Sequence, residues 1–382
     1  MKSGVDPLFS IWTLNRVQRR MLLILIAAVL VMSCLLVLTG LHERSPSISS
    51  VIEERYIQSA AMISHPGGDL EEHASSVMPG VPLMIAGFTA IFGSMEAALI
   101  GYQLLQCFFH AFSVYLVFVL SRYMFNTRIA FLSCMIYALF WPAYGAVRLI
   151  LPDTTMQTLM LLLVCAVIGA LELKQAGWYA AAGALTALMA CYNLQALLYP
   201  VLFIAFWIKY RSPVKIVTGG ILLISAGYLL ILSPWWLNIP LFNKLRYMSG
   251  PWNLAALWLE SRYIEGNPLV HLFRSIFAGR TSKYAAAIGN EEARKIVQSA
   301  LDAVRLVMLF AGVAGIIWSV WKYRLKRQLP VLLTLLYFIA AEWLVPSLDG
   351  TGFPYAVFLL LYAAFLADKA IIYAHKTRLL RK

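Results

Sequence analysis

The sequence predicts an all-α, polytopic transmembrane helix bundle of about ten spans, with interfacial helices in its outer loops. Three observations carry this. The 382 residues are 61% hydrophobic and 13% charged, against about 45–50% and about 25% for soluble chains. Apolar runs recur along the whole chain, and most reach the roughly 18 residues that mark a membrane span. Basic residues cluster in short stretches beside those runs, as cytoplasmic ends do. Backbone groups in lipid must be bonded internally, and runs this continuous are not the alternating pattern of barrel strands.

The first span, near 21–41, follows Arg16, Arg19 and Arg20. It is too long for a signal peptide and lacks a small-residue cleavage site, so it reads as a signal anchor. Further spans are expected near 96–121, 129–146, 153–171, 177–191, 193–208 and 216–233, then 303–321, 329–346 and 354–373. Inner segments then hold Arg122 and Arg128, Lys174, Lys209 to Lys215, Lys322 to Arg327, and Lys376 to Lys382. Both termini face the cytoplasm in this arrangement, and a bacterial cytoplasmic membrane is the expected location. The net charge of +13 is accounted for by these clusters, so nucleic acid is not an expected partner.

Residues 1–382 read as a single membrane domain with two long outer loops, 42–95 and 234–302. Long loops are where function concentrates. The first carries Glu43, Glu53, Glu54, Asp69, Glu71 and Glu72, then Pro79-Gly80-Val81-Pro82 and an apolar stretch to Phe92-Gly93. That stretch is too short to span and reads as an interfacial helix. The second loop mixes Trp235, Trp236, Tyr247, Trp252, Trp258 and Tyr263 with Lys244, Arg246, Arg262, Arg274, Arg280 and Lys283. Amphipathic aromatics beside cations suit an anionic lipid headgroup, and they equally make an interfacial belt.

Ionisable residues at mid-span are scarce: His110 is the clearest, while Glu172, Glu342 and Asp368 fall near span ends. This argues against a proton-coupled transporter and for a site at the outer surface. The five cysteines, Cys34, Cys107, Cys134, Cys165 and Cys191, all lie in apolar spans and read as packing residues. His65, Asp69, Glu71, Glu72 and His73 match no standard ligand spacing, so no metal site is expected. Asn290 to Lys295 has mixed charges at helical spacing and reads as a solvated helix before the eighth span.

Several of these features together resemble the GT-C glycosyltransferases. They are Glu53-Glu54-Arg55-Tyr56 in an acidic outer loop, Pro79-Gly80-Val81-Pro82-Leu83 closing at Phe92-Gly93, Asp153 opening the fourth span, and Ser233-Pro234-Trp235-Trp236-Leu237-Asn238 after the seventh. Within that group the pattern is similar to the protein O-mannosyltransferase and lipid A aminoarabinose transferase branch. The resemblance implies inverting transfer of a sugar from a polyprenyl-phosphate-linked donor to an acceptor hydroxyl of a glycan, lipid or protein at the outer face. Such enzymes serve cell-envelope and polysaccharide biosynthesis.

That chemistry needs a carboxylate to take the acceptor proton and donors to hold the departing phosphate. Glu53 or Glu54 is the candidate base. Asp153 is a second acid, or a helix N-cap whose charge suits the helix dipole. Tyr56, Arg148, Asn193, Trp235, Asn238, Lys244 and Arg246 are candidate donor contacts. The chain departs from the family pattern at Ile52, where an aspartate is usual. It departs again at Tyr192-Asn193-Leu194, Pro234 to Asn238 and Gly352-Phe353-Pro354, where arginines are usual. No cofactor is expected; the acids could serve as ligands or as bases, so a divalent cation is compatible with the sequence without being indicated. The alternative is a non-catalytic membrane subunit, working with a membrane-protein partner, or a protein that binds or flips lipid-linked sugar.

Overall fold

A computed structural model describes residues 14–40, 51–64, 78–236, 291–322, 325–344 and 356–380. Every regular element among them is helical. In chain order they are α1 (Arg16–Gly40), α2 (Val51–Ser64), α3 (Gly80–Phe92), α4 (Met95–Met124), α5 (Thr127–Ala138), α6 (Trp141–Arg148), α7 (Asp153–Ile168), α8 (Ala176–Ala190), α9 (Leu202–Tyr210), α10 (Val214–Trp236), α11 (Glu291–Lys322), α12 (Leu325–Leu344) and α13 (Ala356–Leu380). A π-helical turn, Gly169–Leu173, extends α7, and a 3₁₀ helix, Leu194–Val201, precedes α9.

Among the described residues five helices are long and apolar enough to cross a membrane: α1, α4, α7 with its π turn, α10 and α13. The bent pair α5 and α6 makes a sixth. Where the fifth, sixth, eighth and ninth spans are expected lie apolar helices shorter than that length, Ala176–Ala190, Gln195–Tyr210, Leu306–Lys322 and Arg327–Ala341. Ile24, Ile208, Leu222, Leu230 and Trp321 expose large apolar surface, a pattern costly in water and natural against lipid chains. The mixed-charge segment before the eighth span is the first turns of α11, continuous with the span.

Two expected spans are not simple helices. The segment expected as one span over 129–146 is α5 and α6, bent by 51°. Pro142 lies in the first turn of α6, where its missing N–H deprives the Ala138 carbonyl of a helical partner. The Tyr144 hydroxyl donates to that carbonyl at 2.9 Å. In the sixth span Pro200 interrupts regular α geometry, and the first half is 3₁₀. Phenols of neighbouring helices serve its carbonyls: Tyr337 donates to Gln195 O at 2.6 Å and Tyr228 to Leu197 O at 3.1 Å.

Helices α4 and α7 form the centre, whereas α1 and α10 lie at the periphery and are mostly exposed. Polar side chains tie the buried helices together. Ser113 pairs with Thr158 at 2.9 Å, Ser121 with Ser133 at 2.8 Å, Tyr137 donates to Gln157 at 3.3 Å, and Ser33 meets His110 Nδ1 at 3.0 Å. Such bonds join helices where lipid offers none. Close approach of α8 and α10 rests on Gly183 and Gly227, where any Cβ would collide with the facing backbone at Ile224 and Ala180. His110 of α4 is wholly buried, edge-on to the rings of Tyr137 in α5 and Tyr144 in α6.

The two ends of the bundle differ in chemistry. At one end Tyr123 donates to Glu172 at 3.2 Å and Arg128 pairs with buried Asp368 at 2.8 Å. This is the end expected to be cytoplasmic. α4 has 30 residues, so its far end lies about 45 Å away. There α2, α3, the turn before α7 and the turn after α8 come together.

Candidate functional site at the α2 end of the bundle

The first turn of α2 contains both Glu53 and Glu54. Helical phase separates them. Glu53, Tyr56, Ser59 and Ala60 recur at the spacing of one helix face and are buried, whereas Glu54 is exposed. Glu54 meets Gln58 on that outer face at 3.4 Å. Glu53 turns inward, 6% exposed, and its Oε1 accepts the Ile150 backbone N–H at 2.9 Å. A buried carboxylate costs several kcal/mol unless it is hydrogen-bonded, and this amide supplies such a bond.

Ile150 belongs to the short turn Leu149–Pro152 between α6 and α7. The turn is held from below by α4. Tyr102 donates to Leu151 O at 3.0 Å, Gln103 to Arg148 O, and Gln106 to Leu149 O at 3.1 Å and Leu151 O at 3.2 Å. Arg148 closes α6 and is half-buried. Asp153 begins α7, but the cap position itself is Pro152 and no side chain caps the helix. Of the two roles open to Asp153, the N-cap position falls to Pro152, and Asp153 is the first helical residue, where its charge still faces the positive end of the dipole. Asp153 and Tyr192 both lie within electrostatic reach of the Tyr102 hydroxyl.

The turn after α8 closes the other side. Gly80 N donates to Cys191 O at 2.7 Å, and the Tyr192 ring covers Gly80 so closely that a Cβ there would meet it at 2.7 Å. Burial raises the Tyr192 phenol above its ordinary value, so it remains a neutral donor. Asn193 Oδ1 accepts from Gln195 N at 2.9 Å and caps the 3₁₀ helix. Its side chain thus has a structural partner beside any ligand role. α3 is the helix expected between Pro79 and Gly93; it ends at Gly93 with φ 74° and packs on α2 and α4.

The structure thus brings Glu53, Tyr56, Arg148, Asp153 and Asn193 to one end of the bundle. Trp235 lies in the last turn of α10. Asn238, Lys244 and Arg246 fall outside the described residues, as does the His65 to His73 segment. Among the described residues no three His, Cys, Asp or Glu side chains gather as metal ligands. Sequence reasoning missed Tyr102, Gln103, Gln106 and Tyr192. The first three were legible as polar residues at helical spacing inside an apolar run.

Comparison with known proteins agrees with this architecture. Residues 72–237 match the family described as dolichyl-phosphate-mannose-protein mannosyltransferase. The match begins after α2, so it covers Asp153 and Asn193 but not Glu53 or Tyr56. No curated protein matches the chain in sequence. Two crystal structures of the Archaeoglobus fulgidus oligosaccharyltransferase are similar in fold. The apo form has a TM-score of 0.51 at 14% identity, covering 94% of this chain and 52% of that one. The form tethered to an acceptor peptide with the NVT sequon has 0.52 at 14% identity, covering 93% and 50%. The chain spans about half the length of these structures. It is thus an all-α membrane protein with a fold of the GT-C type, similar over α3 to α10 to the mannosyltransferase family.

Proposed function

We propose that this protein is a membrane glycosyltransferase that moves a sugar from a polyprenyl-phosphate-linked donor to an acceptor hydroxyl, with inversion at the anomeric carbon. The observation that carries the proposal is the inward Glu53 carboxylate, anchored by the Ile150 amide one short turn from Asp153. In the reaction the acceptor oxygen bonds to the anomeric carbon and the bond from that carbon to the phosphate oxygen breaks. The phosphate leaves with the electron pair, and Glu53 takes the acceptor proton. Asp153, at the positive end of α7, orients the acceptor. Arg148, with Lys244 and Arg246 of the long loop, holds the departing phosphate. Tyr56, Asn193, Trp235 and Asn238 contact the donor. The reaction side is the outer face.

Purified protein in lipid nanodiscs, supplied with polyprenyl-phosphate pentoses and hexoses and a panel of glycan, lipid and peptide acceptor hydroxyls, should release polyprenyl phosphate as the sugar passes to the acceptor or, more slowly, to water. Glu53→Gln should lower that rate by about 10²–10⁴-fold, the contribution of a general base, and Glu54→Gln by less than about twofold, since it leaves that base in place. Binding of donor with no release from any of them would replace the enzyme by a non-catalytic subunit. Transfer of intact lipid-linked sugar between vesicle leaflets would replace it by a flipping protein.

A further inference from the structure

Two hydrogen bonds described above share one chemical group. The carbonyl of Leu149 and the N–H of Ile150 are opposite ends of a single planar peptide unit. Gln106 Nε2 donates to that carbonyl at 3.1 Å, and the N–H of the same unit donates to Glu53 Oε1 at 2.9 Å. Gln106 is wholly buried and Ile150 is 5% exposed; the bond to Glu53 is buried and the bond to the Leu149 carbonyl is partly buried.

We propose that Gln106 is a positioning residue for Glu53, acting through the 149–150 peptide. The unit is planar, so fixing its oxygen fixes the direction of its N–H. Rotation of the peptide would break both bonds at once. Polarisation works in the same sense, because a donor on the carbonyl makes the N–H a stronger donor to a carboxylate. Gln106 also bonds Leu151 O at 3.2 Å, which pins the turn on both sides of Ile150. α4 thereby sets the direction of an acid carried by α2, although Gln106 and Glu53 exchange no hydrogen bond of their own. The inference rests on the catalytic role proposed for Glu53, but its physical core does not require turnover.

The test uses the full chain in nanodiscs with two readouts: hydrogen exchange at the Ile150 amide, and kcat and KM for polyprenyl phosphate release. Gln106→Met keeps the length of the side chain and removes the donor. It should speed Ile150 exchange by about tenfold or more and lower kcat about tenfold while donor KM stays within about twofold, the signature of an interaction needed in the transition state. Gln106→Glu, which in its acid form offers one O–H in place of two N–H donors, should recover part of the Ile150 protection and of kcat relative to Gln106→Met. Ser113→Ala removes a buried α4 hydroxyl bonded to Thr158 and should change neither.

Unchanged Ile150 exchange in Gln106→Met overturns the proposal, as does equal loss in Ser113→Ala. Faster exchange with unchanged kcat removes Gln106 from the reaction. Should Gln106→Met not fold, failure of Gln106→Glu to preserve part of the Ile150 protection overturns the proposal. Wild-type protein that consumes no donor instead defeats the glycosyltransferase reading, while exchange still decides whether Gln106 governs the peptide.

Discussion

Glu53 and Ile150 are 97 residues apart in sequence, and the carboxylate of one accepts the backbone N–H of the other at 2.9 Å. This contact joins the short helix α2 to the turn that opens the central helix α7. Its loss has a consequence for stability separate from chemistry. Glu53→Ala leaves the Ile150 N–H buried without that acceptor, a cost of about 1–3 kcal/mol. Glu53→Gln retains an oxygen and should cost less than about 1 kcal/mol, within the range of a neutral hydrogen bond. Glu54→Ala, on the exposed face, should lie within about 0.5 kcal/mol of wild type. Thermal unfolding in detergent ranks the three.

The contact between Gly80 and Tyr192 gives a second prediction. A methyl group at position 80 would meet the ring at 2.7 Å, so Gly80→Ala should displace Tyr192 and destabilise by about 1–3 kcal/mol. Tyr192→Ala in the same chain opens that space. The double variant should then be more stable than the sum of the two single losses, which a double-mutant cycle measures.

At the opposite end, Asp368 is 2% exposed and Arg128 is 61% exposed. Arg128→Ala removes the closer cation and leaves Lys369 at 3.7 Å as the remaining ion-pair partner. The expected loss is about 1–3 kcal/mol, below the value for a fully buried pair because Arg128 is solvated. Replacing both, Arg128→Met with Asp368→Leu, should recover most of it. Because this pair is remote from Glu53, donor KM should not change in any of these variants.

The bent span supplies the fourth prediction. Tyr144→Phe removes the donor to the Ala138 carbonyl, and that carbonyl has no helical partner because Pro142 lacks an N–H. The loss should be about 1–2 kcal/mol. Pro142→Ala restores a helical donor, so adding it to Tyr144→Phe should regain stability. It should also straighten the span and lower transfer, a combination seen by comparing melting temperature with activity.

How much of this was legible in the sequence differs between fold and site. The helical class and the positions of the spans follow from apolar runs and flanking charges, because lipid imposes backbone satisfaction locally. The bend at Trp141-Pro142 was not separated from its span, since hydropathy averages across a single proline. Glu53 and Glu54 were indistinguishable because both sit in one helical turn and only packing against the α6 to α7 turn decides which faces inward. Yet Glu53 and Tyr56 lie three residues apart, which is a face already. Gln103, Gln106 and His110 repeat at helical spacing, but only His110 was singled out, because a charge-bearing ring in lipid draws attention that an amide does not. The partners of Gln103 and Gln106 are backbone carbonyls more than 40 residues away, and no side-chain pattern announces those.

The 51° bend between α5 and α6 also has a geometric result. α6 has eight residues, about 12 Å of helix, so tilting it by that angle carries its end roughly 9 Å sideways, close to one helix diameter. A straight continuation would deliver the chain above its own axis, one neighbour away from where α7 begins. The break acts as a lateral step. It trades height in the membrane for reach across it, and a polypeptide leaving one column of the bundle arrives over the next with its amide facing an acid from a third.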